Sequence, residues 1–240
     1  MKHPFSSRIL PLFTFGAGSL GLALRLWLYA GMDEKGLLPA GHPASYALFF
    51  LSALTIGILF LATRKLVPLH ISKGFLRISG TAAYALASVC LILTAVLKLS
   101  GSMIRLAWVA IAAALVGGLV LLLMAVMRFF RKRPPYWVSA VITVVLMLNT
   151  VAQCQVWGSE PQLQEYFFPL LASVFLILSA YEKTKFTAQK GNAKTLAFFS
   201  QCALFFCCLS LNSDHRLLYF GMMLWAAVQF YPCTFAKKEA

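Results

Sequence analysis

The chain is a succession of apolar stretches, at approximately residues 9–30, 46–63, 78–98, 106–128, 136–157, 166–181, 195–211 and 217–235, each bounded by polar or basic residues. Most approach or exceed the roughly 20 residues that a helix needs to cross the hydrocarbon core of a bilayer. Backbone groups find no water at that depth, so each crossing segment must satisfy its own hydrogen bonds, which the α-helix does. Composition agrees: 60% of the residues are hydrophobic and 12% charged, against about 45–50% and 25% in soluble domains. The fold expected is therefore all-α, a polytopic transmembrane helix bundle of about eight spans forming one domain over residues 1–240. The basic start Met1–Arg8 leads into a run of full span length with further spans behind it, so it reads as a first span rather than a cleavable leader.

The last two segments decide the count, because one long helix there would leave seven spans and move the C-terminus to the other side. Asn212-Ser213-Asp214-His215-Arg216 between them has the composition of a tight turn. With eight spans, one side of the membrane receives Lys2, Arg8, Arg64, Lys65, Lys73, Arg77, Arg128, Arg131, Lys132, Arg133, Lys183, Lys185, Lys190, Lys194, Lys237 and Lys238, which are 16 of the 21 basic residues. The other side receives Lys35, Lys98, Arg105 and Arg216, together with the acids Asp33, Glu34, Glu160, Glu165 and Asp214. The positive-inside rule puts the basic side, and with it both termini, in the cytoplasm. The localisation expected is a bacterial plasma membrane. A net charge of +14 would point to nucleic acid in a soluble domain; here the cations edge cytoplasmic loops, so anionic lipid headgroups are the expected partners and nucleic acid is not.

Five of the six cysteines (Cys90, Cys202, Cys207, Cys208 and Cys233) fall inside apolar runs and Cys154 lies near the end of one, with no CxxC pair. Free buried thiols acting as small hydrophobes are expected. Small residues at four-residue spacing, Ala17 and Gly21, Ser79, Ala83 and Ala87, and Ala110, Ala114 and Gly118, predict close helix contacts. Such seams serve an intramolecular bundle, a homo-oligomer or a partner membrane subunit equally. Trp27, Tyr29, Trp108, Tyr136, Trp137, Trp157, Tyr166 and Tyr231 lie near span ends, the usual place of interfacial anchors.

An ionisable group at depth in a membrane is a functional candidate by default. No Asp, Glu or His falls within the segments as drawn, which weighs against a buried proton relay. No HExxH zinc motif occurs, and Ala17-Gly18-Ser19-Leu20-Gly21 lacks the first glycine of a GxSxG elbow. What remains is Arg25, with the amides Asn149, Gln153, Gln155, Gln201 and Gln229. Arg25 lies about four residues, or about 6 Å, below the outer end of the first span. Two readings stay open: a snorkelling or loop-paired Arg, or an Arg facing inward on the face of Ala17 and Gly21. Asn149 and Gln153 share a face in the fifth span with Ser139, Thr143 and Leu146, at a depth like that of Arg25. The pocket expected is outward-facing, with Arg25 as an anion anchor and the two amides as neutral partners. Gln201 and Gln229 read as interhelical contacts.

Above Arg25 lies the most polar outer loop, GMDEKGLLPAGHPAS, rich in turn residues. Asp33 and Glu34 are the acids nearest to Arg25 in sequence, so a lid over Arg25 is the first expectation for this loop and a ligand site including Asp33, Glu34 and His42 the second. His42 with Asp33, Glu34, Asp214 and His215 offers metal-ligand chemistry, but solvated loop residues are the simpler reading; no metal and no cofactor are expected. Arg25-Leu26-Trp27-Leu28-Tyr29, followed by Asp33 and then Gly36-Leu37-Leu38, Gly41, His42 and Pro43, resembles small multi-pass bacterial membrane proteins of unassigned function. The resemblance covers about twenty residues and implies no activity. The functional expectation is a transport or solute-binding membrane protein, with a non-catalytic subunit, sensor or scaffold as the alternative. A lipid-active enzyme using His42, Asp33 or His215 ranks third, because no catalytic motif accompanies those residues.

Overall fold

A computed structural model describes residues 9–31, 41–64, 73–101, 107–130, 134–157, 163–213 and 215–233. Within them the chain forms eight α-helices: α1 (Ile9–Ala30), α2 (Pro43–Arg64), α3 (Lys73–Gly101), α4 (Ala107–Phe129), α5 (Tyr136–Trp157), α6 (Leu163–Thr187), α7 (Ala193–Leu209) and α8 (Arg216–Cys233). No strand occurs among the described residues. Seven of the helices, α1 to α7, are long and apolar enough to cross a membrane; α8, of 18 residues, is not among them. The chain is thus a multi-pass transmembrane helix bundle. The question of one helix or two after residue 193 is answered by the break at Ser210–Asn212, a single 3-10 turn that separates α7 from α8.

Contacts at the helix ends fix the direction of each helix. At one end of the bundle Arg25 near the end of α1 donates to the Leu209 carbonyl at the end of α7, and Trp27 meets His42 at the start of α2. Tyr219 near the start of α8 joins Gln153 near the end of α5 and Pro169 near the start of α6 at the same end. At the opposite end the Lys194 ammonium at the start of α7 donates to the Arg64 carbonyl closing α2. There too the Arg128 guanidinium lies over Tyr84, joining the end of α4 to the start of α3. Successive helices therefore alternate in direction, and α1 and α7 run the same way.

α7 is the axis. It packs against α1, α2, α6 and α8, and 72% of its spanning window is buried, against 28–50% in the other six spans. Its sequence allows this because Phe205, Phe206, Cys207, Cys208 and Leu209 present apolar or small groups all around the helix, and all are buried. A helix apolar on every side belongs in a core rather than at its edge. Outer faces carry the bulk of the exposed apolar surface, including Phe15, Leu26, Phe50, Leu61, Trp108 and Trp137, which suits them to lipid.

Close approach depends on glycine at a few points. A Cβ on Gly18 would sit 2.7 Å from the Cβ of Cys208, and one on Gly21 2.7 Å from Cδ1 of Leu209, so α1 lies directly on α7. The buried face of α1 is Leu10, Thr14, Gly18, Gly21, Arg25 and Leu28; Gly18, rather than Ala17, shares it with Gly21. Gly118 packs on Ile92 and on the Ser88 carbonyl, where the Ser88 hydroxyl also donates to the Gly118 carbonyl at 2.7 Å. Gly221 of α8 lies on Cys90 and Ala87 of α3. These seams are filled by neighbours in the same chain. Cys90, Cys154, Cys202, Cys207 and Cys208 are free; Cys202, Cys207 and Cys208 are buried, whereas Cys154 is exposed.

Candidate functional site

Arg25 faces inward. It is 2% exposed, because it continues the Gly18–Gly21 face and reaches past those glycines to the end of α7. Its Nη1 donates to the Leu209 carbonyl at 2.7 Å and its Nη2 to the Tyr29 hydroxyl at 3.2 Å. The guanidinium also lies 5.5 Å from the centre of the Tyr29 ring and 5.9 Å from that of Phe168. The Leu209 carbonyl belongs to the last turn of α7, where carbonyls have no intrahelical partner and the helix dipole is negative. A cation placed there is stabilised by the negative end of the helix.

Phe168, against Arg25, precedes Pro169, and the Pro169 carbonyl lies 3.2 Å from the hydroxyl of Tyr219. The same hydroxyl lies 3.2 Å from Oε1 of Gln153 and 3.3 Å from the Ser173 hydroxyl. Tyr219 is fully buried and has one proton to give, so two carbonyl-type acceptors compete for it while Ser173 has a proton to donate back. Gln153 is thereby held by its oxygen, and its Nε2 points into the bundle without a partner among the described residues. One turn away on the same face, Oδ1 of Asn149 is also buried and without a partner among the described residues. The stripe Ser139, Thr143, Leu146, Asn149 and Gln153 is buried along its length.

The structure thus brings Arg25, Gln153, Tyr219 and Ser173 to one end of the bundle, with Asn149 next to Gln153 on α5. Tyr219, Ser173 and the Leu209 carbonyl were missed in the sequence. Tyr219 near the start of an apolar segment reads as one more interfacial ring, and a backbone carbonyl has no signature in sequence. Asp33 and Glu34, the expected lid over Arg25, lie outside the described residues, as does Asp214. His42 is placed: its Nδ1 accepts from the Ala44 amide at 3.2 Å, capping α2, and its ring stands edge-on to Trp27 at 5.4 Å between centres. That is an end-cap position at the junction of α1 and α2. No group of three or more potential metal ligands occurs among the described residues. Ser19 donates to the Phe15 carbonyl of its own helix on an exposed face.

One further group changes the account of ionisable residues at depth. α6 continues to Thr187, so the span covers Tyr166–Thr187 and Glu182 falls inside it, buried. Its Oε1 accepts from the Lys185 ammonium at 2.8 Å, while Oε2 is buried without a partner among the described residues. The segment as drawn from sequence closed at residue 181, one position too early to include this carboxylate. A carboxylate is therefore available within a span, at the end of the bundle opposite Arg25.

The class defined by this fold and site is a multi-pass helix bundle with a guanidinium and a set of amide and hydroxyl groups enclosed at one end. Comparison of the chain with known protein families, with curated proteins and with solved structures returns no match.

Proposed function

We propose that the chain is a transport or solute-binding protein of a bacterial plasma membrane, with both termini in the cytoplasm and its site in the outer half of the bundle. The observation that carries this reading is the pair on α5: a buried amide donor at Gln153 and a buried carbonyl acceptor at Asn149, one turn apart and both without partners among the described residues. Buried polar groups are satisfied in the great majority of proteins, and water is scarce at membrane depth, so such a pair is best accounted for by a bound polar molecule. The molecule that fits offers an acceptor to Gln153 Nε2 and a donor to Asn149 Oδ1. Arg25, fixed by Leu209 and Tyr29, supplies a positive field that favours an acidic or zwitterionic solute without having to touch it. Anionic headgroups at the basic end are the proposed lipid partners.

The alternative, a non-catalytic subunit or scaffold, is favoured by one observation: the Arg25 contacts with Leu209 and Tyr29 are those of a structural clamp. Native mass spectrometry of the detergent-extracted protein separates the two. The solute reading expects a bound small mass that is lost in Gln153→Leu. A stoichiometric protein partner, with no small mass and with Gln153→Leu more heat-stable than the parent, sinks the solute reading in favour of the subunit.

A further inference from the structure

A second polar layer lies deeper in the bundle, on different helices from the outer site. α1, α2 and α7 meet in an apolar cluster of Leu10, Leu59, Ala62, Ala197 and Cys202, of which Leu10, Leu59 and Ala197 form a floor. One turn toward the Arg25 end from Leu10, Leu59 and Ala197 stand Thr14, Thr55 and Gln201, because α1 and α7 run toward that end and α2 runs away from it. The layer is closed above as well. The next turn outward brings Gly18 of α1 against Phe205 and Cys208 of α7, with the Phe205 carbonyl 3.7 Å from a Cβ placed on Gly18. Thr14 and Gln201 each precede that contact by four residues. All three side chains are 0% exposed.

Their hydrogen-bonding capacity is mostly unused. Thr14 donates to the Leu10 carbonyl at 2.9 Å, which leaves its lone pairs free to accept. The Thr55 hydroxyl and both the oxygen and nitrogen of the Gln201 carboxamide have no partner among the described residues. A sheltered layer therefore presents donors and acceptors from three helices and no charge. An ion would be strongly penalised there, whereas a neutral molecule with both donor and acceptor atoms suits the groups present.

We infer that the α1–α2–α7 junction is a binding site for a small neutral hydrogen-bonding molecule, held by Thr14, Thr55 and Gln201. Water is the smallest such molecule, and a neutral amide or polyol solute presents the same chemistry. The site is independent of the outer one, so each stands or falls alone.

The test has two parts. On protein labelled with 15N in its glutamine side chains and held in lipid nanodiscs, water-edited NMR reads magnetisation transfer from water to the Gln201 amide. Native mass spectrometry reads any retained solute. Water contact without a bound mass identifies water; a bound mass lost in Gln201→Leu but kept in Gln153→Leu identifies a solute. Absence of both overturns the site. The second part is thermal unfolding of Gln201→Leu and of the isosteric Thr55→Val. Each removes a hydrogen bond to the occupant and is expected to lower the midpoint by roughly 2–4 °C. A dry site gives the opposite sign, because removing an orphaned polar group from a core relieves a penalty. A midpoint unchanged or raised in both variants overturns the inference, and Thr55→Val with the NMR measurement decides it if Gln201→Leu does not fold.

Discussion

A guanidinium inside a bilayer must be held by groups that replace its water, and around Arg25 those groups include neutral ones. Among its partners are a helix-terminal carbonyl, a phenol and two aromatic faces, all of which favour a planar delocalised cation over a compact ammonium. Arg25→Ala is expected to lower stability by about 1–3 kcal/mol, the scale of a buried acceptor left without its donor. Arg25→Lys should fall between, since one ammonium cannot reproduce both the two hydrogen bonds and the ring contacts. Thermal unfolding in detergent measures both; an Arg25→Ala variant as stable as the parent removes the clamp. The sequence alone left Arg25 between snorkelling and facing inward because its partner is a carbonyl 184 residues away. Glu182 escaped notice for a different reason. The polar run after Tyr181 looks like a loop, yet the helix continues through it to Thr187.

At the scale of elements, most of the architecture was legible, because membrane length and hydropathy constrain helices more tightly than propensity does. Each of the eight expected segments has its helix, with the largest changes at α3 and α6, which run several residues further than their apolar cores. The face each helix buries was less legible. Ala17 and Gly21 are four residues apart, but so are Thr14 and Gly18, and only the packed structure shows that Gly18 and Gly21 meet α7. Small residues at such spacing mark a seam without fixing its azimuth. Gly16 and Gly18 make a controlled comparison within one helix. A Cβ at Gly16 meets nothing within 4 Å, whereas one at Gly18 lands 2.7 Å from Cys208 Cβ, an atom too close to the backbone to move aside. Gly18→Ala is expected to destabilise by about 1–3 kcal/mol, the usual cost of overpacking. Gly16→Ala should be neutral or stabilising by up to roughly 1 kcal/mol through helix propensity. Equal melting temperatures for the two variants would mean that α1 does not lie on α7 in this way.

For the whole molecule, the direction of every helix and the distribution of charge belong to one argument. Arg64, Arg128, Lys185 and Lys194 gather at the end where α2, α4 and α6 finish and α7 starts. Several are anchored there, Arg64 over the Phe60 ring at 4.1 Å and Lys194 on the Arg64 carbonyl. The orientation proposed above puts that end in the cytoplasm, where basic loop residues are retained. It also puts Arg25, Gln153 and Tyr219 toward the outside. The hairpin of α7 and α8 is the sharpest place to check this, because α7 is the most enclosed helix and α8 is not among the seven helices long and apolar enough to cross a membrane, so a hairpin dipping in and out from one side is the competing arrangement. In a background without native cysteines, Ser213→Cys after α7 and Lys190→Cys before it occupy opposite ends of that helix. An impermeant maleimide on intact cells is expected to label Ser213→Cys, and Lys190→Cys only once the membrane is opened. The reverse pattern inverts the orientation and moves the Arg25 site to the cytoplasmic side. Labelling of both from one side would mean that α7, although central to the bundle, does not cross the membrane.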